Sequence, residues 1–470
     1  MGAQPVDLAV LGAGPAGLAT AWRAARRGLS VAVLERADHV GGMAASTEIA
    51  GIRVDAGSHR LHPATPPYLL DALRGLLGDD LQLRPRNGRL RVYGRWVSFP
   101  LRAGELLRAL PPVALRRIAR DAACAPFRAG RGRGAASYGE LLSARLGPEL
   151  YSALYGPYAQ KLWGLPGDLV DVEQARRRVT ADSPGKIAAR VLRAGRRNDG
   201  RGRVFWYPRR GFGQLAEALA DAAATAGASI RTGVEVTHVD LRGTTPYVRL
   251  ADGGTLQCGH VCATVPLTVL ARLVRPLPPP AVAAAAGRLR FRAMLLVYLV
   301  HDGGRWTPYD AHYLPGRETP VTRVSEPANY RDSTDDPTDR TVLCAEIPCA
   351  VGDPLWRLDD DALAGVVTDG LARCGLPPVR LAGVEVRRLP RVYPVYRVGY
   401  GDALAELDGW AAGLARLTTF GRLGLFAHDN THHALAMAWD AVAALRLDGA
   451  RDEAGWARAR ARFATHVVED

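Results

Sequence analysis

The sequence predicts an α/β fold: a doubly wound parallel sheet assembled from separated stretches of chain, with an α+β unit inserted between them. Three observations carry this reading. The apolar run Val6 to Leu11 ends in Gly12-Ala13-Gly14-Pro15-Ala16-Gly17, a helical stretch follows, and a second apolar run, Val31 to Leu34, ends in Glu35-Arg36. At 470 residues the chain exceeds one ordinary core, so two domains are expected. Strand-like stretches recur near 229–265 and 423–427, so distant segments must complete the sheet that the N-terminal unit begins.

The N-terminal unit reads as a Rossmann-type dinucleotide cradle. Gly12 permits the tight turn, Gly14 lets backbone approach a pyrophosphate, and Gly17 lets the helix pack on the strand. Pro15 and Ala16 open that helix, whose unpaired N–H groups and dipole favour an anion. Glu35 stands eighteen residues after Gly17, at the end of the second strand, where it can accept hydrogen bonds from a ribose 2′-hydroxyl and repel a 2′-phosphate. Arg36 follows, and Gly41-Gly42 begin six residues beyond the acid. An acid, a basic residue and a glycine pair after the second strand resemble the FAD-binding signature of amine oxidases and protoporphyrinogen oxidases. That resemblance implies FAD.

Downstream, 214–226 has helical spacing and leads into strand candidates at 229–232, 234–239, 247–250 and 261–265; Val236 is an expected cofactor contact. Residues 423–427 read as a short buried strand and 431–445 as a long helix. The FAD-binding domain is therefore expected to be discontinuous, over 1–80, 200–265 and 411–470, with an α+β substrate-binding domain over 81–199 and 266–410. The first insertion opens with strand candidates at 81–83, 90–93 and 96–99 and continues as helices joined by an Arg/Gly-rich link at 128–135. The second opens with a Pro-rich hinge, Pro276, Pro278, Pro279 and Pro280, and holds strand candidates at 291–300, 341–347 and 384–389.

Composition narrows the function classes. Hydrophobic residues at 48% and charged residues at 23% describe a soluble globular protein. No apolar run approaches the roughly 18 to 20 residues a membrane helix needs. The N-terminus lacks a charged leader, and its apolar stretch is already the first strand, so a cytoplasmic protein is expected. Six cysteines (Cys124, Cys258, Cys262, Cys344, Cys349, Cys374) form no Cys-x-x-Cys pair and sit among apolar neighbours, which predicts buried thiols and no structural metal. The net charge of +14 comes almost wholly from arginine, since Lys161 and Lys186 are the only lysines. The arginines are scattered, without the interleaved aromatic platform on which single strands stack, so nucleic acid is not the expected partner. An anionic small molecule is.

The stretch from Leu150 to Gly164, LYSALYGPYAQKLWG, resembles a helix of UDP-galactopyranose mutases, flavoenzymes that interconvert pyranose and furanose rings of nucleotide sugars. Gly57-Ser58-His59-Arg60-Leu61-His62 is similar to that family's Gly-x-His-x-x-His loop, and Val97-Ser98-Phe99-Pro100-Leu101 to its aromatic-proline strand. Thr322-Arg323-Val324-Ser325-Glu326 is similar to the segment carrying a diphosphate-binding arginine. Tyr393-Pro394-Val395-Tyr396 is similar to a tyrosine-proline-valine element, and Gly421-Arg422-Leu423 with His432 to the final flavin-binding strand and helix.

The resemblance implies that Arg323 clamps the diphosphate, with a second arginine among Arg176, Arg177 and Arg178, Arg177 being the choice here. It implies that Ser58, His59, Gly421, Arg422, Asn430 and Thr431 support the flavin, and that His62, Tyr158, Trp163, Tyr393, Tyr396 and Asp429 shape the substrate pocket. His59, Arg323 and Asp429 are the catalytic candidates. In that family the reduced flavin is the nucleophile, through N5, and no net redox occurs; the absence of a Ser-His-Asp or paired-carboxylate pattern in this chain agrees. A nucleotide sugar needs arginines as bidentate partners for its phosphates, and arginine recurs here.

The chain also departs from the mutase pattern. Where those enzymes carry a tyrosine pair before aspartate and histidine, it reads Ala427-His428-Asp429-Asn430-Thr431-His432, setting an acid where phosphates are expected. The same stretch resembles FAD oxidoreductases of the protoporphyrinogen oxidase type, which remove hydride from carbon. A non-catalytic reading, a binding protein like the Rab escort and GDP-dissociation inhibitor proteins, is opposed by the intact glycine triplet and Glu35. No second triplet is present, so reduced nicotinamide, NAD(P)H, is expected only as a transient reductant.

Overall fold

The computed structural model describes residues 4–100, 103–125, 132, 134–178 and 204–468 of the chain. Most of the Arg/Gly-rich link, Leu101 of the aromatic-proline motif and the side chain of Arg178 lie outside the described residues.

The first sheet is built on Val6–Leu11, which pairs in parallel with Val31–Leu34 on one side and Thr255–Ala263 on the other, matching Leu8 to Val31 and Val10 to Cys262. Ser229–Arg231 adds in parallel beyond Val31–Leu34. Tyr247–Leu250 and Val236–Asp240 continue the sheet antiparallel beyond Thr255–Ala263, and Val274–Arg275 closes that edge. A strand covered on both faces reads as an unbroken apolar run, which is why Leu8-Ala9-Val10-Leu11 shows no polar alternation. Its side chains still divide between two cores. Leu8, Val10, Val31 and Val33 face helices Pro15–Ala25, Gly213–Thr225 and Thr431–Ala444, whereas Ala9, Leu11, Ala32 and Leu34 face helices Leu267–Leu273 and Tyr400–Ala412. Each large aliphatic side chain so buried contributes roughly 1.5 to 3 kcal/mol.

The strand expected at 423–427 is instead a turn. The last strand of this sheet is Leu417–Thr419, parallel to Thr255–Ala263 and six residues upstream of that stretch's start. Gly421 at φ 84° and Phe426 at φ 51° bend the chain out of extended geometry. A Cβ on Gly424 would lie 2.2 Å from the Phe420 carbonyl oxygen, so the apolar residues here pack a turn and form no ladder.

The second sheet has the order Leu381–Val395, Arg290–Asp302, Arg340–Cys349, Arg323–Ser325, Ala311–Tyr313, Gly88–Val92 and Arg95–Phe99. Its pairs are antiparallel except that between Ala311–Tyr313 and Gly88–Val92. Register matters for the site: Arg323 lies directly across from Glu346 on the neighbouring strand. The first strand candidate of the insertion does not join this sheet, because Leu81–Pro85 pairs with Val204–Pro208 in a separate two-stranded ribbon. The stretch from Leu150 to Gly164 is helical, with a π-turn at Tyr151–Tyr155 before Gly156–Trp163, and it stops at Gly164, whose φ of 71° terminates the helix. Five of the cysteines are buried; Cys124, expected to be buried, is exposed at the end of helix Pro112–Ala123.

Candidate active site

A cavity of about 620 Å³ runs along the C-terminal edge of the first sheet and reaches side chains of the second. At the first sheet its floor is the glycine turn. Gly12 holds φ 100°, a conformation other residues rarely adopt. A Cβ on Gly17 would lie 1.9 Å from the Gly12 carbonyl oxygen, so only glycine seats this helix on its strand. A Cβ on Gly14 would meet nothing within 4 Å, and Gly14 lines the cavity. The turn is thus bare where a pyrophosphate would pass. Glu35 accepts the Ala13 N–H at 2.8 Å through Oε2 and the Ala37 N–H at 2.9 Å through Oε1, which fixes the carboxylate with lone pairs left for ribose hydroxyls. The Gly41 N–H donates to the Ala13 carbonyl at 2.8 Å, tying the glycine pair to the same turn. Helix Pro15–Ala25 carries no acid in its first turn to compete with a bound anion. These residues fit the dinucleotide part of FAD.

Gly12, Gly14, Pro15, Ala16, Glu35, Arg36, Gly42, Ser58, His59, Val236, Gly421, Arg422, Asn430 and Thr431 all line the cavity, as do His62, Tyr158, Arg323, Tyr393 and Asp429. The 57–62 loop reaches it because Asp55, buried at its base, accepts from Ser46, Tyr207 and the Phe212 N–H. His59 donates through Nδ1 to the Gly57 carbonyl at 3.1 Å and stacks on Phe212; burial lowers its pKa and keeps it neutral. Asn430 caps helix Thr431–Ala444, its side chain accepting the His433 N–H while its own N–H donates to His433 Nδ1, so the helix start faces the cavity with its dipole's positive end. Arg422 lies over the Tyr393 ring and donates to the backbone carbonyls of Asp429 and Val392, at 3.3 and 3.4 Å.

Arg323 reaches the cavity but not as an open clamp. Its guanidinium donates to both carboxylate oxygens of Glu346, and the Ser58 N–H donates to the same carboxylate at 2.8 Å. Burial opposes the charge on Arg323, and Glu346 more than offsets this, holding its pKa above the ordinary value. The pair is internally neutral.

Five predicted residues stay outside the cavity wall. Gly17 and Gly41 act within the turn as described. Trp163 is buried and packs edge-on against Tyr138. Arg177 pairs with Glu173 at 2.8 Å, and Tyr396 donates to the Phe426 carbonyl at 3.0 Å while stacking on Tyr400. Conversely, Arg86, Arg391, Tyr313 and Glu346 line the cavity and carry no sequence motif. Glu346 had one legible sign, a lone acid in the otherwise uncharged run Thr341 to Cys349, because a buried charge demands a partner. Arg391 is exposed and Arg86 half-buried over the Phe99 ring, and neither has a carboxylate partner among the described residues.

Residues 15–404 match the model of the flavin containing amine oxidoreductases. The chain belongs to that family. It is a flavin-binding family of enzymes. A coproporphyrinogen III oxidase of Propionibacterium freudenreichii is 25% identical over 87% of this chain and 85% of its own length. A Mycobacterium tuberculosis protein assigned as a flavin-containing monoamine oxidase is 30% identical over 58% of this chain, so the match spans about three fifths, 60%, of that relative. Among solved structures, a reduced UDP-galactopyranose mutase superposes with TM-score 0.81 over 99% of this chain and 100% of that one, at 20% identity. That likeness concerns the fold. No described helix is long and apolar enough to cross a membrane.

Proposed function

We propose that this flavoenzyme acts on an anionic nucleotide sugar and interconverts its pyranose and furanose forms without net redox. The observation that supports this is the pair of arginines, Arg86 and Arg391, that line the flavin-side cavity without carboxylate partners among the described residues. Guanidinium groups not already neutralised are the natural partners of a pyrophosphate ester. Bound FAD would supply, in its reduced state, a nucleophile at N5. The chain's own side chains do the rest. Arg86 and Arg391 bind the diphosphate, Tyr158 and Tyr393 line the sugar and base side of the cavity, and neutral His59 braces the loop against the cofactor. On this reading 1–80, 200–265 and 411–470 hold the cofactor, and 81–199 with 266–410 hold the substrate.

A second reading, an FAD-dependent oxidoreductase acting on a small-molecule or sugar substrate, is favoured by one feature: the Glu346 carboxylate neutralises the arginine that the mutase resemblance assigns to the diphosphate. Incubating dithionite-reduced enzyme with UDP-, GDP- and dTDP-hexopyranoses separates the two. The mutase reading expects a furanose isomer with the flavin still reduced afterwards. No furanose from any of them, with oxidised flavin bleached by another substrate, would establish the oxidoreductase instead.

A further inference from the structure

Lys161 and Lys186 are the only lysines among the 61 lysines and arginines of the chain, and Lys161 stands on the last turn of helix Gly156–Trp163. Its ammonium donates to three backbone carbonyls of a single loop, those of Leu314, of Gly316 at 2.9 Å and of Val321 at 2.6 Å. That loop is the connection of a hairpin. The Leu314 N–H donates to the Thr322 carbonyl at 2.9 Å, and strands Ala311–Tyr313 and Arg323–Ser325 run antiparallel from it with Tyr313 opposite Arg323. Tyr313, Thr322 and Arg323 line the cavity, and on the helix so do Tyr158 and Leu162. Lys161 does not line it; it joins these two walls from behind.

Three carbonyls gathered round one nitrogen suit an ammonium, which carries three donors and no acceptor. A guanidinium spreads its donors in a plane over three nitrogens and cannot place three of them on carbonyls that converge on one point. In a chain that uses arginine at almost every cationic position, lysine at 161 is the residue this geometry requires. Among the described residues no carboxylate pairs with it: Glu318 acts on it at longer range and is itself paired with Arg91. Burial lowers the Lys161 pKa to about 8, which leaves it charged at neutral pH with every proton bound to the loop. Arg317, exposed on the same loop, adds one bond to the helix, to Gln160 Oε1 at 3.3 Å.

We infer that Lys161 is a positioning residue for the substrate: it ties the hairpin bearing Tyr313 and Arg323 to the helix bearing Tyr158, so that both walls of the chamber are set before a nucleotide sugar arrives. This rests on the anionic-substrate reading above. Without the tie the ligand must order the loop as it binds, and that cost is subtracted from its affinity. FAD binding does not depend on the tie, because Lys161 is absent from the cavity wall.

The test uses FAD-loaded protein labelled with heavy nitrogen in its lysine side chains and titrated with UDP-glucose, with flavin absorbance recorded on the same samples. Lys186→Arg leaves a single resonance to assign. The expected result is an ammonium resonance made visible by slow proton exchange, which shifts in step with the flavin response as UDP-glucose saturates. Lys161→Met should bind UDP-glucose at least about tenfold more weakly at unchanged FAD affinity, and Lys161→Arg should not restore it. Tyr158→Ala should cost less affinity in the Lys161→Met background than in wild type, because a wall already out of place has less to lose, whereas a lysine that only stabilises the fold gives additive losses. An ammonium resonance that ignores UDP-glucose while the flavin responds, Lys161→Arg binding like wild type, or additive losses overturn the positioning role alone, and the resonance decides if Lys161→Met does not fold. No flavin response of the wild type to UDP-glucose overturns the anionic-substrate reading and the positioning role with it.

Discussion

Arg323 donates to both carboxylate oxygens of Glu346, at 2.7 and 2.9 Å, across adjacent strands of the second sheet. A buried ion pair of this kind is expensive to break from one side, because the remaining charge stays desolvated. Glu346→Gln should therefore lower unfolding free energy by about 3 to 5 kcal/mol, read from urea transitions. The double variant Arg323→Met with Glu346→Leu should recover most of that. Single variants as stable as wild type would mean that the pair is solvated.

Gly14 and Gly17 differ in what surrounds them. Gly17→Ala forces a methyl against the Gly12 carbonyl, so it should cost at least about 1 to 3 kcal/mol of stability, as overpacking does. Gly14→Ala meets open cavity and should leave the apoprotein's thermal midpoint unchanged while weakening FAD binding at least about tenfold. If both variants behave alike in a thermal scan with and without FAD, the pyrophosphate does not pass over Gly14.

Two buried histidines weaken the fold at acid pH. Burial lowers His260 to about 4, with its ring nitrogens 2.9 Å from the Gly449 carbonyl and 2.8 Å from Thr418 Oγ1. Burial, then Arg89, lowers His312 to about 3, where its Nδ1 accepts from the Arg89 Nε–H at 2.8 Å. Both pKa values lie below the ordinary 6.5, so the native state binds fewer protons than the unfolded chain. Their contribution is complete above that value and is lost as pH falls towards 4 and 3, at up to roughly 1.4 kcal/mol per pH unit for each group. Denaturant midpoints measured from neutral pH down should fall accordingly. His312→Asn should show a shallower slope; an unchanged slope would remove His312 from the account.

The cradle was readable because its chemistry is local: Gly12, Gly14, Gly17 and Glu35 carry their roles in spacing along one strand-helix-strand unit. The long strands Arg290–Asp302 and Arg340–Cys349 were readable from apolar runs. The last strand of the first sheet was misread by several residues because Leu423 to Ala427 is as apolar as a strand, while glycines 421 and 424 decide its shape. Arg86 and Arg391 carry no local signal, because Arg86 lies in the turn between two strands and Arg391 at a register shift inside one, and Glu346 shows in sequence only as a lone acid whose partner, Arg323, is set by sheet register. Tyr396 and Trp163 were assigned to substrate by resemblance, yet both are consumed by packing.

In the proposed function an anionic ligand sits beside the flavin on Arg86 and Arg391. The most direct measurement of this is the dissociation constant of UDP-glucose for the FAD-loaded protein at low salt, wild type against Arg86→Ala with Arg391→Ala. The double variant should bind at least about tenfold more weakly and depend less on ionic strength, with the flavin spectrum unchanged. Equal affinity and equal salt dependence in the two proteins would contradict it.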